Sequence, residues 1–160
     1  MSLATDSIFI SALQSNAELM ERIGYVAPTS EEDTGQPARL YGTAIPLPDE
    51  DADNVPAPYL IVVFDGLQND QGTKDDRYES EYDTVQIAVQ VVGRNINELH
   101  ELTQTVRDTI LSYLRTTQTA IQDYNFTASE IIYNGQKPCY WQELNYECDV
   151  INTNDDEQEE

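Results

Sequence analysis

Three aspartates at alternate positions could place oxygen ligands around a metal ion. Asp49, Asp51 and Asp53 have the spacing with which a calcium loop surrounds a hard cation. Such a loop also needs a glycine and a bidentate glutamate, but this chain has Asn54 and Leu60 at those two positions. We therefore interpret the three aspartates as part of a solvated acidic loop.

Two pairs of acids farther along the chain could hold a divalent metal ion for nucleolytic chemistry. These pairs are Asp75 with Asp76 and Glu79 with Glu81. They lie in a loop that contains glycine and asparagine and has no strand to hold the carboxylates in place. The sequence therefore predicts no catalytic metal at these acids.

The only histidine, His100, lies beside a helical stripe of apolar residues. A metal ligand or general base needs converging partners, and the chain has no second histidine, no closely paired cysteines and no glycine-flanked serine. The glycines are isolated and form no phosphate-binding loop. Cys139 and Cys148 fall in a strand region, where we expect reduced, half-buried thiols. We predict no catalytic residue, no cofactor and no metal, and a protein that is not an enzyme.

The negative charge of the chain limits the partners it can have. Its 160 residues include 8 Lys and Arg against 30 Asp and Glu, which gives a net charge of -22. Such a surface repels nucleic acid and anionic membranes. No stretch approaches the roughly 20 apolar residues of a membrane span, and the N-terminus has no basic segment followed by an apolar core. We expect a cytoplasmic protein with no membrane partner.

Hydrophobic spacing predicts the elements that carry these residues. One helix is predicted over Thr5–Ile23, where Gly24 ends it and the capping-box pattern Ser15–Glu18 restarts it near Asn16. A second helix begins after an amide cap at Asn95 and runs to about Arg115. The strands are predicted at Arg39–Ile45, Tyr59–Phe64, Tyr82–Val92, Gln122–Tyr133 with a break at Thr127–Ser129, and Tyr140–Val150.

The order of these elements predicts an α+β fold. Strands do not alternate with helices, so we expect a mostly antiparallel β-sheet with two helices packed on one face. A single domain is predicted over residues 1–151. It carries an acidic flexible insertion at about 28–57 and a projecting hairpin loop at about 65–83, and residues 152–160 are predicted to be a disordered acidic tail.

The assembled pattern resembles a known family, the tail terminator or tail completion proteins of long-tailed bacteriophages and prophages. The resemblance covers most of the chain from Asp6 to about Ile151. The segments that carry it are Ile8–Leu13 with Leu19–Gly24, Pro58–Val63, Asp83–Gly93, the helix from Leu99 to Leu114, and Tyr140–Glu147. The acidic insertion Glu31–Asn54 and the tail after Asn152 are longer than the family core needs.

The resemblance implies a homohexameric ring that caps the finished tail tube and joins it to the head connector. Its partners would be copies of itself, the tail tube protein and the head–tail connector protein, while DNA passes through without being bound. Assembly would take place in the host cytoplasm, and the ring would remain in the virion. The residues expected to serve as interaction sites are Asp65, Asp70, Asp75, Asp76, Glu79, Glu81, Tyr140 and Trp141.

Three other functions fit the same sequence. A head–tail connector or stopper of the same virion neck would have a similar size and charge. A small acidic enzyme or cation-binding protein would use the aspartate-rich loops. A monomeric acidic inhibitor that mimics DNA would use the surface charge alone.

Overall fold

The computed structural model describes residues 5–42, 45, 55–69, 82–135 and 138–151. These residues form an α+β fold with three helices and a mostly antiparallel six-stranded sheet, which confirms the predicted fold class. The helices are α1 (Thr5–Gln14), α2 (Ala17–Arg22) and α3 (Ile96–Thr116). The strands are β1 (Leu40–Tyr41), β2 (Tyr59–Asn69), β3 (Tyr82–Gly93), β4 (Ile121–Ala128), β5 (Ile132–Asn134) and β6 (Cys139–Ile151).

The first predicted helix is broken in two, as the capping pattern indicated, but the cap is a different residue. Asn16 is the N-cap of α2, because its side-chain oxygen accepts a hydrogen bond from the Leu19 N–H at 3.1 Å. The Ser15 hydroxyl instead donates to the Ala12 carbonyl at 2.6 Å, so it satisfies the end of α1 rather than the start of α2.

Glycine ends α2 as predicted. Gly24 has a φ of 106°, in the left-handed region that a side chain would disfavour. This conformation turns the Tyr25 N–H back to the Met20 carbonyl at 2.9 Å, while the Gly24 N–H reaches the Glu21 carbonyl at 3.1 Å. The two bonds form a Schellman motif, which satisfies carbonyls that the helix end leaves open.

The start of α3 is fixed by an amide cap and an ion pair. The Asn95 side chain accepts from the Glu98 N–H at 2.9 Å, as the sequence predicted. The Glu98 carboxylate in turn accepts from the backbone N–H of Arg94 at 2.7 Å and from its guanidinium at 2.6 Å. The side-chain hydrogen bonds from Arg94 hold the pKa of Glu98 below its ordinary value.

The strands follow the order β1-β2-β3-β6-β4, and β5 pairs with the same side of β6 as β4. Every pair is antiparallel except β1 with β2. Strand β3 begins at Tyr82 as predicted, but β2 extends past the predicted Phe64 to Asn69, so residues 65–69 of the expected loop belong to a strand. A bulge between Phe64 and Gly66 absorbs the extra residue and lets the pairing resume.

One face of the sheet, which we call the inner face, carries the core. Its alternating residues are fully buried, as the strand pattern predicted, and they pack with α1 and α3; the β3 and β6 members are Val85, Ile87, Val89, Val91, Leu144, Tyr146, Cys148 and Val150. Phe9 of α1 contacts the Tyr146 ring edge-on, with centroids 5.0 Å apart. The apolar stripe of α3 covers the same face with Leu99, Leu102, Val106 and Ile110, all of them fully buried.

The segment between α2 and β2 is described in part. Of the expected Arg39–Ile45 strand, Leu40–Tyr41 forms β1 and pairs with β2, while residues 43 and 44 lie outside the described residues. Val26, just before the predicted insertion, forms an isolated bridge with Gln36, and within the insertion the Asp33 carboxylate accepts from the Thr29 hydroxyl at 2.8 Å. The candidate calcium aspartates 49, 51 and 53 and the tail 152–160 lie outside the described residues.

Replacing a buried leucine of α3 tests this packing. We expect Leu102→Ala to lower the free energy of unfolding by about 3 kcal/mol, because it removes buried methyl groups and leaves a cavity against the sheet. His100→Ala, on the exposed side of the same helix, should change it by less than about 0.5 kcal/mol. Urea unfolding followed by circular dichroism measures both, and equal effects would contradict the assigned helix face.

Candidate functional site

The structure separates the residues that the sequence grouped as interaction sites. Asp65 is exposed, but it lies within β2 at the bulge rather than in a loop. Tyr140 packs against the inner-face core, whereas Trp141 is half-buried on the opposite side of β6. The two aromatic residues therefore do not form one surface. Asp70, Asp75, Asp76, Glu79 and Glu81 lie outside the described residues.

The face of the sheet opposite the core, which we call the outer face, carries a group of acids. Strand alternation places on it Glu143, Glu147 and Asp149 of β6 and Asp123 of β4. The pairing register sets Asp149 directly opposite Asp123. We call these four residues the acidic band. They lie on neighbouring strands, although Asp123 is distant in sequence from the three acids of β6.

Two members of the acidic band accept hydrogen bonds from amide side chains of β3. The Gln86 amide donates to Glu147 at 2.9 Å, and the Gln90 amide donates to Glu143 at 3.3 Å. A neutral amide satisfies a carboxylate oxygen but supplies no counter-charge. Asp123 and Asp149 face each other as like charges, an arrangement that destabilises a strand pair.

Of the five described arginines, four lie away from the acidic band, and the fifth, Arg115, lines a cavity that Asp123 also borders. Two of them form ion pairs on the helix layer, where Arg22 contacts Glu101 at 2.8 Å and Arg94 contacts Glu98. Arg107 of α3 lies 4.3 Å from the centre of the Phe126 ring, a cation–π contact at the inner face. The other two are Arg39, which donates to the Pro58 carbonyl, and Arg115 at the end of α3. Among the described residues, no carboxylate of the acidic band lies within ion-pair distance of an arginine.

The other end of the outer face is apolar. Register aligns Tyr59, Val92, Trp141 and Ile132 in one row across β2, β3, β6 and β5. Ile61 and Val63 continue from this row along β2 toward the acidic band. We call these six residues the apolar band. Val92 is 5% exposed but Ile132 is 37% exposed, so the band is covered toward the sheet centre and open at the β5 edge.

The thiols of the chain are not reactive groups. Cys139 and Cys148 are free, as predicted, but they are buried rather than half-buried. Burial raises the pKa of Cys148 to about 12, so this residue stays a protonated thiol. In the described part of the chain no three His, Cys, Asp or Glu residues lie close enough together to hold a metal ion. None of its helices has both the length and the apolar character to cross a membrane.

The sequence predicts the strands that carry the acidic band, but it does not predict that their acids lie side by side. The alternation of Glu143, Glu147 and Asp149 with buried residues was visible in the last strand. What was missing was the partner strand, because only the register brings Asp123 beside Asp149. A useful signal would have been that every charged residue at the outward positions of these strands is acidic.

No protein-family model matches the chain, and no curated protein matches it. The outer face, with its acidic band and apolar band, is therefore the feature from which a function can be argued.

The like-charge pair gives a prediction about stability. We expect Asp149→Asn to raise the free energy of unfolding by roughly 0.2–1 kcal/mol at low salt, because it removes the repulsion with Asp123. The gain should shrink at high salt, which screens exposed charges. Glu21→Gln, which removes one exposed charge from α2, is the matched control. Thermal or urea unfolding at two salt concentrations measures the difference, and an equal gain in both variants would exclude a specific pair.

Proposed function

We propose that this protein is a structural ring protein of the tail-terminator type, whose outer sheet face lines a channel through which DNA passes. The observation that supports this proposal is the lack of ion pairs in the acidic band. Among the described residues, no carboxylate of the acidic band has an arginine or lysine within ion-pair distance, and the pair of Asp123 with Asp149 places like charges opposite each other, which costs stability. A function that needs a negative surface explains why such a pair is kept.

The physics of DNA passage requires such a surface. Duplex DNA carries one negative charge for about every 1.7 Å of its axis. Each contact of a basic side chain with a phosphate releases counterions and adds salt-dependent binding affinity. The carboxylates of Glu147 and Glu143, which accept hydrogen bonds from Gln86 and Gln90, would instead repel the DNA phosphates. In this proposal DNA therefore moves through the ring without being bound.

The two ends of the outer face and the two edges of the sheet have separate roles in the proposed ring. The apolar band would lie at one rim, where it meets the tail tube protein or the head connector protein through an apolar contact. The two edges of the sheet are different, since β4 with β5 forms one and β1 with β2 the other. Joining unlike edges is a heterologous contact, which closes into a ring when the rotation allows it.

The proposed ring is a homohexamer, assembled in the host cytoplasm and retained in the neck of the virion. Light scattering and negative-stain imaging of the full chain, over a wide range of concentrations, test it directly. We expect closed rings, and more of them at high salt, because screening weakens repulsion between subunits that each carry a charge of -22. A monomer under every condition would contradict the ring.

The same preparation distinguishes the cation-binding alternative. Calorimetric titration with calcium, magnesium and manganese should give no saturable, stoichiometric heat if the acids serve repulsion. A tight stoichiometric signal would favour a cation-binding protein instead, since dedicated oxygen sites bind these ions with defined stoichiometry.

Reversing the charge of the acidic band should make the proposed channel bind DNA. We expect rings of a Glu143→Lys, Glu147→Lys, Asp149→Lys variant to retard duplex DNA in a gel, and this binding should weaken steeply as salt rises. A variant with Glu21→Lys, Glu31→Lys and Glu32→Lys has the same net charge, but its changes lie at exposed positions off the outer face. Equal retardation by both variants would show that net charge alone controls DNA binding.

A further inference from the structure

A small cavity opens at the β4 edge of the sheet, on the side of the helices. Its volume is about 210 Å³, and it lies between the C-terminal part of α3 and the start of β4. Leu111, Leu114, Ile121 and Tyr124 supply its apolar wall. Because β4 is the last strand on this side of the sheet, no further strand of the described chain covers the opening.

The charged group at this cavity is an arginine with an open side. Arg115 lines the cavity and, unlike Arg22 and Arg94, has no carboxylate within ion-pair distance among the described residues. Asp123 also borders the cavity, but strand alternation places its side chain in the acidic band, and its carboxylate accepts from the Tyr124 N–H at 2.8 Å. The cavity therefore combines an apolar wall with the positive charge of Arg115.

The opposite edge of the sheet presents a complementary pair of residues. Leu67 of β2 is 40% exposed, although its register partner Val85 is fully buried. It therefore faces the helix side of the sheet at a point that the helices do not cover. Asp65 is exposed two residues earlier, at the bulge. Among the described residues, β1 pairs only with Leu60 and Ile61, so this end of β2 has no strand beside it.

We propose that Leu67 of one copy of this chain inserts into the α3–β4 cavity of the next copy, with Asp65 beside Arg115. The two patches agree in size, since the cavity has room for one aliphatic side chain. They agree in charge, since an exposed acid meets an arginine that forms no ion pair with any described residue. They lie on opposite edges of one sheet, as a head-to-tail contact requires. This contact rests on the ring proposed above and identifies the surfaces that join its subunits.

Cysteine cross-linking tests the contact in the full chain. We expect a Leu67→Cys, Gln122→Cys variant, oxidised with copper phenanthroline, to give a ladder of covalent oligomers, because Gln122 lines the cavity from an exposed position. An equimolar mixture of the two single variants should give only dimers. The native thiols do not interfere, since Cys139 and Cys148 are 3% and 0% exposed. Leu67→Cys with Ser112→Cys, which lies elsewhere on α3, is the matched control.

A charge exchange tests the proposed ion pair separately. Asp65→Arg and Arg115→Asp should each lower the ring fraction at least about tenfold at low salt, the effect of placing like charges across a contact. The double variant, which restores opposite charges between neighbours, should recover the rings. Glu32→Arg, an exposed change with the same net charge as Asp65→Arg, should leave the ring fraction unchanged.

The outcomes separate this contact from the ring itself. If the wild-type chain forms rings but the cysteine pair gives no ladder and the charge variants assemble normally, the contact is wrong and the ring stands. If Gln122→Cys alone forms dimers, two β4 edges meet around a two-fold axis, and the head-to-tail contact is wrong. If light scattering finds only a monomer and no cross-link forms, the proposed ring fails together with the contact.

Discussion

The structure depends on the pairing register of β3 with β6. Twelve residues of each strand pair without a break, from Tyr82 with Ile151 to Gly93 with Tyr140. Since successive side chains alternate between the two faces of a sheet, this register decides which residues enter the core and which meet solvent. A slip of one residue would bring Glu147 and Asp149 into the core and expose Tyr146 and Cys148. The register therefore fixes the fold and the chemistry of the outer face together.

The negative charge of the outer face destabilises the fold that positions it. Repulsion within a chain of net charge -22 weakens the compact state, and the pair of Asp123 with Asp149 adds a local cost. The helix layer relieves its acids with Arg22 and Arg94, but the acidic band receives only amide hydrogen bonds. The described ion pairs thus lie on the helix side of the sheet, and none lies in the acidic band. The proposed channel gives this asymmetry a use.

The sequence predicts the elements of this fold much better than their arrangement. Both helix caps, the stripe on α3 and the alternation of the long strands are local patterns, and the structure confirms them with Asn16 in place of Ser15 as a cap. The extension of β2 past Phe64 could not be predicted, because it depends on a bulge paired against β3. The acidic band likewise depends on the pairing of β4 with β6. Each of these features is set by contacts between distant parts of the chain.

Helix α3 links the core to the proposed subunit contact. Its buried stripe, which includes Leu102 and Val106, holds the inner face, while Leu111 and Leu114 are half-buried and line the cavity at the β4 edge. In the proposed ring these two leucines gain cover from the neighbouring subunit, so assembly would bury apolar surface that folding leaves partly in water. A ligand or partner that binds only the folded chain stabilises it by mass action. The stability of the subunit should therefore rise with its own concentration, and a protein weakened by its own charge would reach its full stability only inside the ring.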